Sequence, residues 1–202
     1  SEKIIAEQAS FNLVKSIRSK PNVKFSRNST NYTLEGSMQD MRWRNGLKLL
    51  EKYDLNYDLR IPMWHLEEAV DIVRLLSNTK VIINHCGFPW DRSAHGMELW
   101  RKGIQALSLE PNTYIKLSEF GIKGEEWNFY ENARIILELI DLFSPKRCMF
   151  ASNFPVSKIK ITFENLYNNY KKIVEKFSLD EKKCLFSETA IEAYNLDKSL
   201  LN

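Results

Sequence analysis

Val81–Ser93, VIINHCGFPWDRS, is the stretch from which the fold can be read. Val81, Ile82 and Ile83 are three β-branched residues in a row, enough for a short strand buried on both faces, as strands of parallel sheets are. Polarity follows at once in Asn84 and His85, then in a Cys86-Gly87 turn and an Asp91-Arg92-Ser93 cluster behind Pro89. In α/β proteins with parallel sheets, ligands sit at the carboxyl ends of the strands, so a histidine there is placed to meet a substrate. Gly87 has no Cβ and lets the loop fold back over the strand mouth. A histidine that caps the strand and bonds its own loop fits the same residues, and both readings stand at this point.

Outward from this strand, strands and helices alternate. Before it, Leu55–Arg60 reads as a strand, with Tyr57, Leu59 and Ile61 alternating against Asn56, Asp58 and Arg60, and Pro62 ends it. His65–Leu76 carries a helical stripe. After it come a helix over Met97–Leu107, a strand over Thr113–Leu117, a helix over Phe129–Phe143 broken at Ser144-Pro145, a strand over Arg147–Ala151 and a helix over Phe163–Phe177. Towards the ends, Ser1–Ala9 reads as a short helix and Phe11–Ile17 as a strand stopped by Pro21. Residues 22–40 read as a long polar loop, Met41–Lys52 as a helix and Asp180–Tyr194 as one or two short helices. The last three strands begin at Val81, Thr113 and Arg147, about 33 residues apart, the spacing of right-handed βαβ units in a parallel sheet. Five such strands fit either an open sheet or the larger part of a (β/α)8 barrel, which needs eight strands and about 250 residues.

The chain has 202 residues, 44% of them hydrophobic, which suits a single domain over 1–202 with a real core. With 29 basic and 26 acidic residues the net charge is +3, which gives no case for a nucleic-acid partner. Lys15, Arg18, Lys20, Lys24 and Arg27 cluster only loosely and read as solvated surface. Cys86, Cys148 and Cys184 are odd in number and contain no CxxC pair, which argues against a disulfide framework and for a reducing compartment. The first residues are too charged for a signal peptide and no run approaches membrane-spanning length, so the expectation is a cytoplasmic protein without a membrane partner.

Four runs, IPMWHLEEA, INHCGFPWDRS with His95-Gly96 shortly after, PNTYIKLSEFG and RCMFASNFPVS, occur in the order of one family. With SIRSKP and GSMQDMRWRNG near the start, they resemble the amidohydrolase-related, lactonase-like branch of the amidohydrolase superfamily, from about Leu13 to Leu196. That resemblance implies an α/β fold of the (β/α)8 TIM-barrel type, here an incomplete barrel of about five βα units. Members carry an opening strand with a His-x-His motif and further strands before the segment at which this chain begins. This chain has only His65, His85 and His95, none in a His-x-His, as a truncated reading frame or a partial sequence would give.

The resemblance also implies chemistry. Members hydrolyse lactones and related carbonyls by adding an activated water, often at a divalent metal of the zinc type in the complete barrel, which requires a Lewis acid or donors for the oxyanion and a base for the water's proton. His85 matches the family's strand-end histidine, a metal ligand in some members and a carbonyl polariser otherwise. Asn153 stands where many members have aspartate, in a GSDxP-like motif that reads ASNFP here, and an amide takes up no proton near neutral pH. One histidine and one amide make a poor metal site.

The residues themselves offer other groups. Glu119, directly after a strand, and Asp58, within one, are candidate replacement bases; Asp58 can equally be the partner of Arg60. Arg18 and Arg60 can fork onto a carboxylate or sugar acid, or form surface ion pairs. His65, opening a helix beside Trp64, can reach a substrate or simply start the helix, and Arg92 can do so or pair with Asp91 to shape its loop. His95 reads as surface.

The expected function is hydrolysis of a lactone or related carbonyl ester of a small sugar or carboxylic acid, with a small-molecule substrate and a possible homo-oligomer. The alternative is a non-catalytic barrel-derived remnant that binds a small acid or a partner chain. A nucleic-acid-associated module is the third class, and no recognised binding motif supports it.

Overall fold

The computed structural model describes residues 2–23, 35–122 and 124–201, built on five parallel strands that lie in the order in which the chain makes them. β1 (Ser16–Ile17) pairs with β2 (Asn56–Leu59), β2 with β3 (Val81–Ile83), β3 with β4 (Thr113–Leu117) and β4 with β5 (Cys148–Phe150). An open doubly wound sheet reverses its order at a switch point, whereas consecutive barrel strands do not. The chain therefore forms a five-stranded sector of a (β/α)8-type barrel.

Alternation along each strand sorts the side chains into two layers. Tyr57, Leu59, Val81, Ile83, Ile115, Leu117, Cys148 and Phe150 join the large core beneath the helices. Those helices are α1 (Glu2–Ala9), α2 (Met41–Lys52), α3 (Val70–Leu75), α4 (Ala94–Ser108), α5 (Phe129–Phe143) and α6 (Phe163–Ile173). Their starts are marked by side chains that accept otherwise orphaned N–H groups: Asp40 for α2, Ser93 for α4, Asn128 for α5 and Thr162 for α6. Each such cap contributes about 1 kcal/mol.

The other face of the sheet looks into the barrel. There Ile82, Tyr114 and Met149 meet Ala190, Ala193 and Tyr194 from a continuous helical run of α7 (Leu179–Lys183), a π-helical turn (Cys184–Glu188) and α8 (Thr189–Ala193). The contacts fall at the strand starts. Asn56 Nδ2 donates to the Ala193 carbonyl (2.6 Å), Lys80 Nζ to the Glu192 carbonyl (2.6 Å) and the Tyr114 hydroxyl to Glu192 Oε1 (2.8 Å). The C-terminal run thus covers the lower part of the inner face.

Two sequence expectations need correction. The strand expected over Phe11–Ile17 exists only at Ser16–Ile17, where β2 supplies a ladder partner; Phe11 and Leu13 are exposed. The helix expected over His65–Leu76 is a 3-10 turn, Met63–His65, followed after a gap by α3. Fully buried Leu66 lies in that gap, close to Gly103 of α4, so tertiary packing shapes the segment. The long loop expected over 22–40, with Lys24 and Arg27, lies mostly outside the described residues. Among the described residues no helix is long and apolar enough to cross a membrane.

Candidate active site

The carboxyl ends of β3, β4 and β5 each turn through a non-glycine residue with positive φ: His85 (55°), Glu119 (56°) and Asn153 (53°). Such conformations cost about 1–3 kcal/mol each and cluster where strain serves a function. After β3 the left-handed geometry runs through four residues, with Cys86 at 57°, Gly87 at 67° and Phe88 at 52°. Tertiary bonds hold this turn in place. Trp100 Nε1, fully buried, donates to the Cys86 carbonyl at 2.7 Å, and Cys86 Sγ donates to the Ser118 carbonyl at 3.2 Å.

His85 Nδ1 lies 2.8 Å from the Ser118 hydroxyl. In the tautomer in which that buried hydroxyl donates to Nδ1, the proton of the neutral ring sits on Nε2. Burial, then the positive charges of Lys116, Arg18 and Arg60, push the His85 pKa down to about 4, against a smaller opposing pull from Asp58. His85 is therefore uncharged at neutral pH. Phe88 packs edge-on against its ring, with centroids 5.1 Å apart, and Arg60 lies over the Phe88 ring at 5.0 Å.

One layer deeper, Asp58 Oδ1 accepts from Lys116 Nζ (2.8 Å), Asn84 Nδ2 (3.0 Å) and the Tyr194 hydroxyl (2.9 Å). Burial alone would raise its pKa, but Lys116, aided by Ser16 and Asn84, outweighs it and the net shift is downward. A carboxylate so paired is a weak proton acceptor, and its ionic partner is Lys116, not Arg60. Lys116, Asn84, Ser118 and Tyr194 are the groups that sequence reasoning did not select. A lysine at an inward position of the apolar run TYIKL was the available signal for the first.

The remaining candidates fall into place around this centre. Asn153 Nδ2 donates to Glu119 Oε2, joining two adjacent strand ends. Arg18 Nη2 reaches Asn84 Oδ1 at 3.4 Å. Arg92 Nη2 donates to the Phe120 carbonyl at 3.0 Å, while Asp91 Oδ1 accepts from the Ser93 N–H. His65, buried, has Nδ1 3.1 Å from Glu68 Oε2 on its own turn. The structure thus brings His85, Glu119, Asn153, Arg18 and Arg60 to strand ends with Asp58 inside β2 one layer below them, and holds His65 and Arg92 by contacts in the loops.

A divalent metal needs several oxygen or nitrogen donors free to converge. Among the described residues no group of three His, Cys, Asp or Glu could hold one. Asp58 Oδ1 is taken by three donors, Glu119 Oε2 by Asn153 and His85 Nδ1 by Ser118. Lys116, Arg18 and Arg60 add positive charge beside His85. These residues do not by themselves fit a metal centre.

The family model described as Amidohydrolase matches residues 23–196. The chain belongs to the amidohydrolase family. Among its relatives, the uncharacterized protein y4mH of Sinorhizobium fredii is 35% identical over 154 residues, covering 76% of this chain and 52% of that protein. An L-rhamnono-gamma-lactonase of Scheffersomyces stipitis is 25% identical over 169 residues, covering 71% of this chain and 49% of the lactonase. The chain spans about half the length of these curated relatives. A crystal structure of an amidohydrolase from Burkholderia multivorans with bound zinc superposes with a TM-score of 0.82 at 17% identity, over 98% of this chain and 70% of that one. The likeness establishes the barrel fold.

Proposed function

We propose that the mouth at the carboxyl ends of β3–β5 hydrolyses a lactone or related carbonyl ester of a small sugar or carboxylic acid. One observation carries this reading: a neutral imidazole, bonded at Nδ1 to the Ser118 hydroxyl, stands on one strand end, and a carboxylate oriented by an amide, Glu119 with Asn153, bridges the next two. In the proposed reaction Glu119 takes a proton from water as the water oxygen bonds to the carbonyl carbon. The carbonyl π pair moves onto its oxygen, where the His85 Nε2–H donates to the developing charge. The tetrahedral intermediate then collapses, the ring C–O bond breaks, and the proton on Glu119 passes to the leaving alkoxide. The product is a hydroxy acid. The relative named L-rhamnono-gamma-lactonase makes sugar-acid lactones the first class to try.

The test is proton release from a panel of aldonic γ- and δ-lactones by the wild-type chain and by His85→Ala. The expected loss is about 10²-fold or more in turnover with the fold retained. A variant that melts far lower yet turns over normally when folded would show that His85 only caps its strand.

A further inference from the structure

Lys116 stands in an apolar strand, on the inner face, beside the proposed catalytic groups. Its side chain is 17% exposed, and that of its partner Asp58 is 10% exposed. An ammonium has three protons to give. One goes to Asp58 Oδ1 at 2.8 Å and a second makes only a 3.5 Å contact to Asn84 Oδ1. The third has no acceptor among the described residues. Arg18 Nη2 approaches the same Asn84 oxygen at 3.4 Å. Two cations therefore converge on one neutral amide oxygen through long, weak bonds, and both keep donors to spare.

The surrounding charge is lopsided. Neither Arg18 nor Arg60 is paired with a carboxylate among the described residues, so Asp58 is the anion set against Arg18, Arg60 and Lys116 in this cluster. The Tyr194 ring lies 5.0 Å from the ammonium, and its hydroxyl holds Asp58 Oδ1 at 2.9 Å. Asp58 and Tyr194 together fix where the ammonium sits. A buried ion pair that served the fold alone could be replaced by apolar residues at little cost, and Ile82, Tyr114 and Met149 already supply apolar neighbours.

We infer that Lys116 is a ligand-contacting residue: its ammonium and the Arg18 guanidinium, either side of Asn84, seat the carboxylate of a bound hydroxy acid. This rests on the lactone-hydrolase reading only for the identity of the acid, which is the anion that ring opening creates. Asp58 is then the positioning residue of Lys116 and not a base.

The test titrates the chain with short hydroxy-acid anions, from lactate to six-carbon aldonates, and follows the heat of binding and the ammonium signal of Lys116 in nitrogen-15 spectra. At least one anion is expected to bind and to shift that signal. Lys116→Met should weaken binding by about tenfold or more, and Lys116→Arg by less. The double variant Asp58→Asn with Lys116→Met removes both charges of the pair; it should melt near the wild type and still bind weakly. Full binding by the double variant or by Lys116→Met, or no binding of any anion by the wild type, would overturn the inference. Binding that depends on Lys116 without lactone turnover would leave the inference standing and remove the proposed activity instead.

Discussion

Burial and three neighbouring cations act on His85 in one direction, and this has a consequence for stability. Its folded pKa is about 4, against about 6.5 for an unperturbed histidine. Between these values the unfolded chain binds a proton that the native chain refuses, so stability falls as pH drops from about 6.5 towards 4 and this contribution levels off below. The steepest slope is about 1.4 kcal/mol per pH unit, and the whole effect is about 3 kcal/mol at most. Asp58, whose pKa is lowered, loses its contribution only at more acid pH, below the ordinary carboxylate value. Melting temperatures recorded from about pH 7 to about 4.5 should decline for the wild type and stay flatter for His85→Gln; parallel curves would show that His85 titrates normally. Asn153 gives a second prediction. Its amide donates to Glu119, so Asn153→Asp would remove a donor and set two carboxylates together, raising the proton affinity of one of them. Turnover should fall by about 10²–10³-fold. A rate that instead rises with added divalent metal would mean that the site is a decayed metal centre.

Elements differ in how legible they were, for physical reasons. α2, β4 and α5 lie where periodicity put them because their apolar residues keep one period and a polar side chain caps each helix start. β1 shrank to two residues because a strand exists only where a neighbour pairs with it. The segment after β2 escaped periodicity because α4 packs on it at close range. At Gly103 an added Cβ would lie 2.4 Å from Leu66 Cβ and 3.1 Å from the Glu67 nitrogen. Gly103→Ala should therefore destabilise the chain by about 1–3 kcal/mol, although alanine favours a helix. Urea unfolding measures this, and a stability equal to or above the wild type would show that the contact yields freely. The C-terminal run was legible as helix, but nothing in its pattern told that Tyr194 would reach across to Asp58.

At the scale of the molecule, the sector shape was readable from the order of the motifs and the spacing of the strands. The strand-end positions of His85, Glu119 and Asn153 were readable too, since each closely follows a largely apolar strand, and those of Arg18 and Arg60 since each follows an alternating one. The inner layer was not, because which inward residues meet depends on register: Asn84 faces Lys116 only because Ile83 pairs with Ile115. Among the described residues β1 and β5 each have one neighbour in the sheet, and such edges invite pairing with another chain. Light scattering should accordingly show self-association that grows with concentration, and a monomer at all concentrations would count against it. Glu119 is the central group of the proposed reaction. Its most direct test is the rate of lactone ring opening by the wild-type chain and by Glu119→Gln, with melting temperature recorded for both. The predicted result is acceleration of at least one sugar-acid lactone by the wild type and a loss of about 10²-fold or more in the variant at unchanged melting temperature. Equal rates in the two proteins, or no acceleration of any lactone by the wild type, would contradict it.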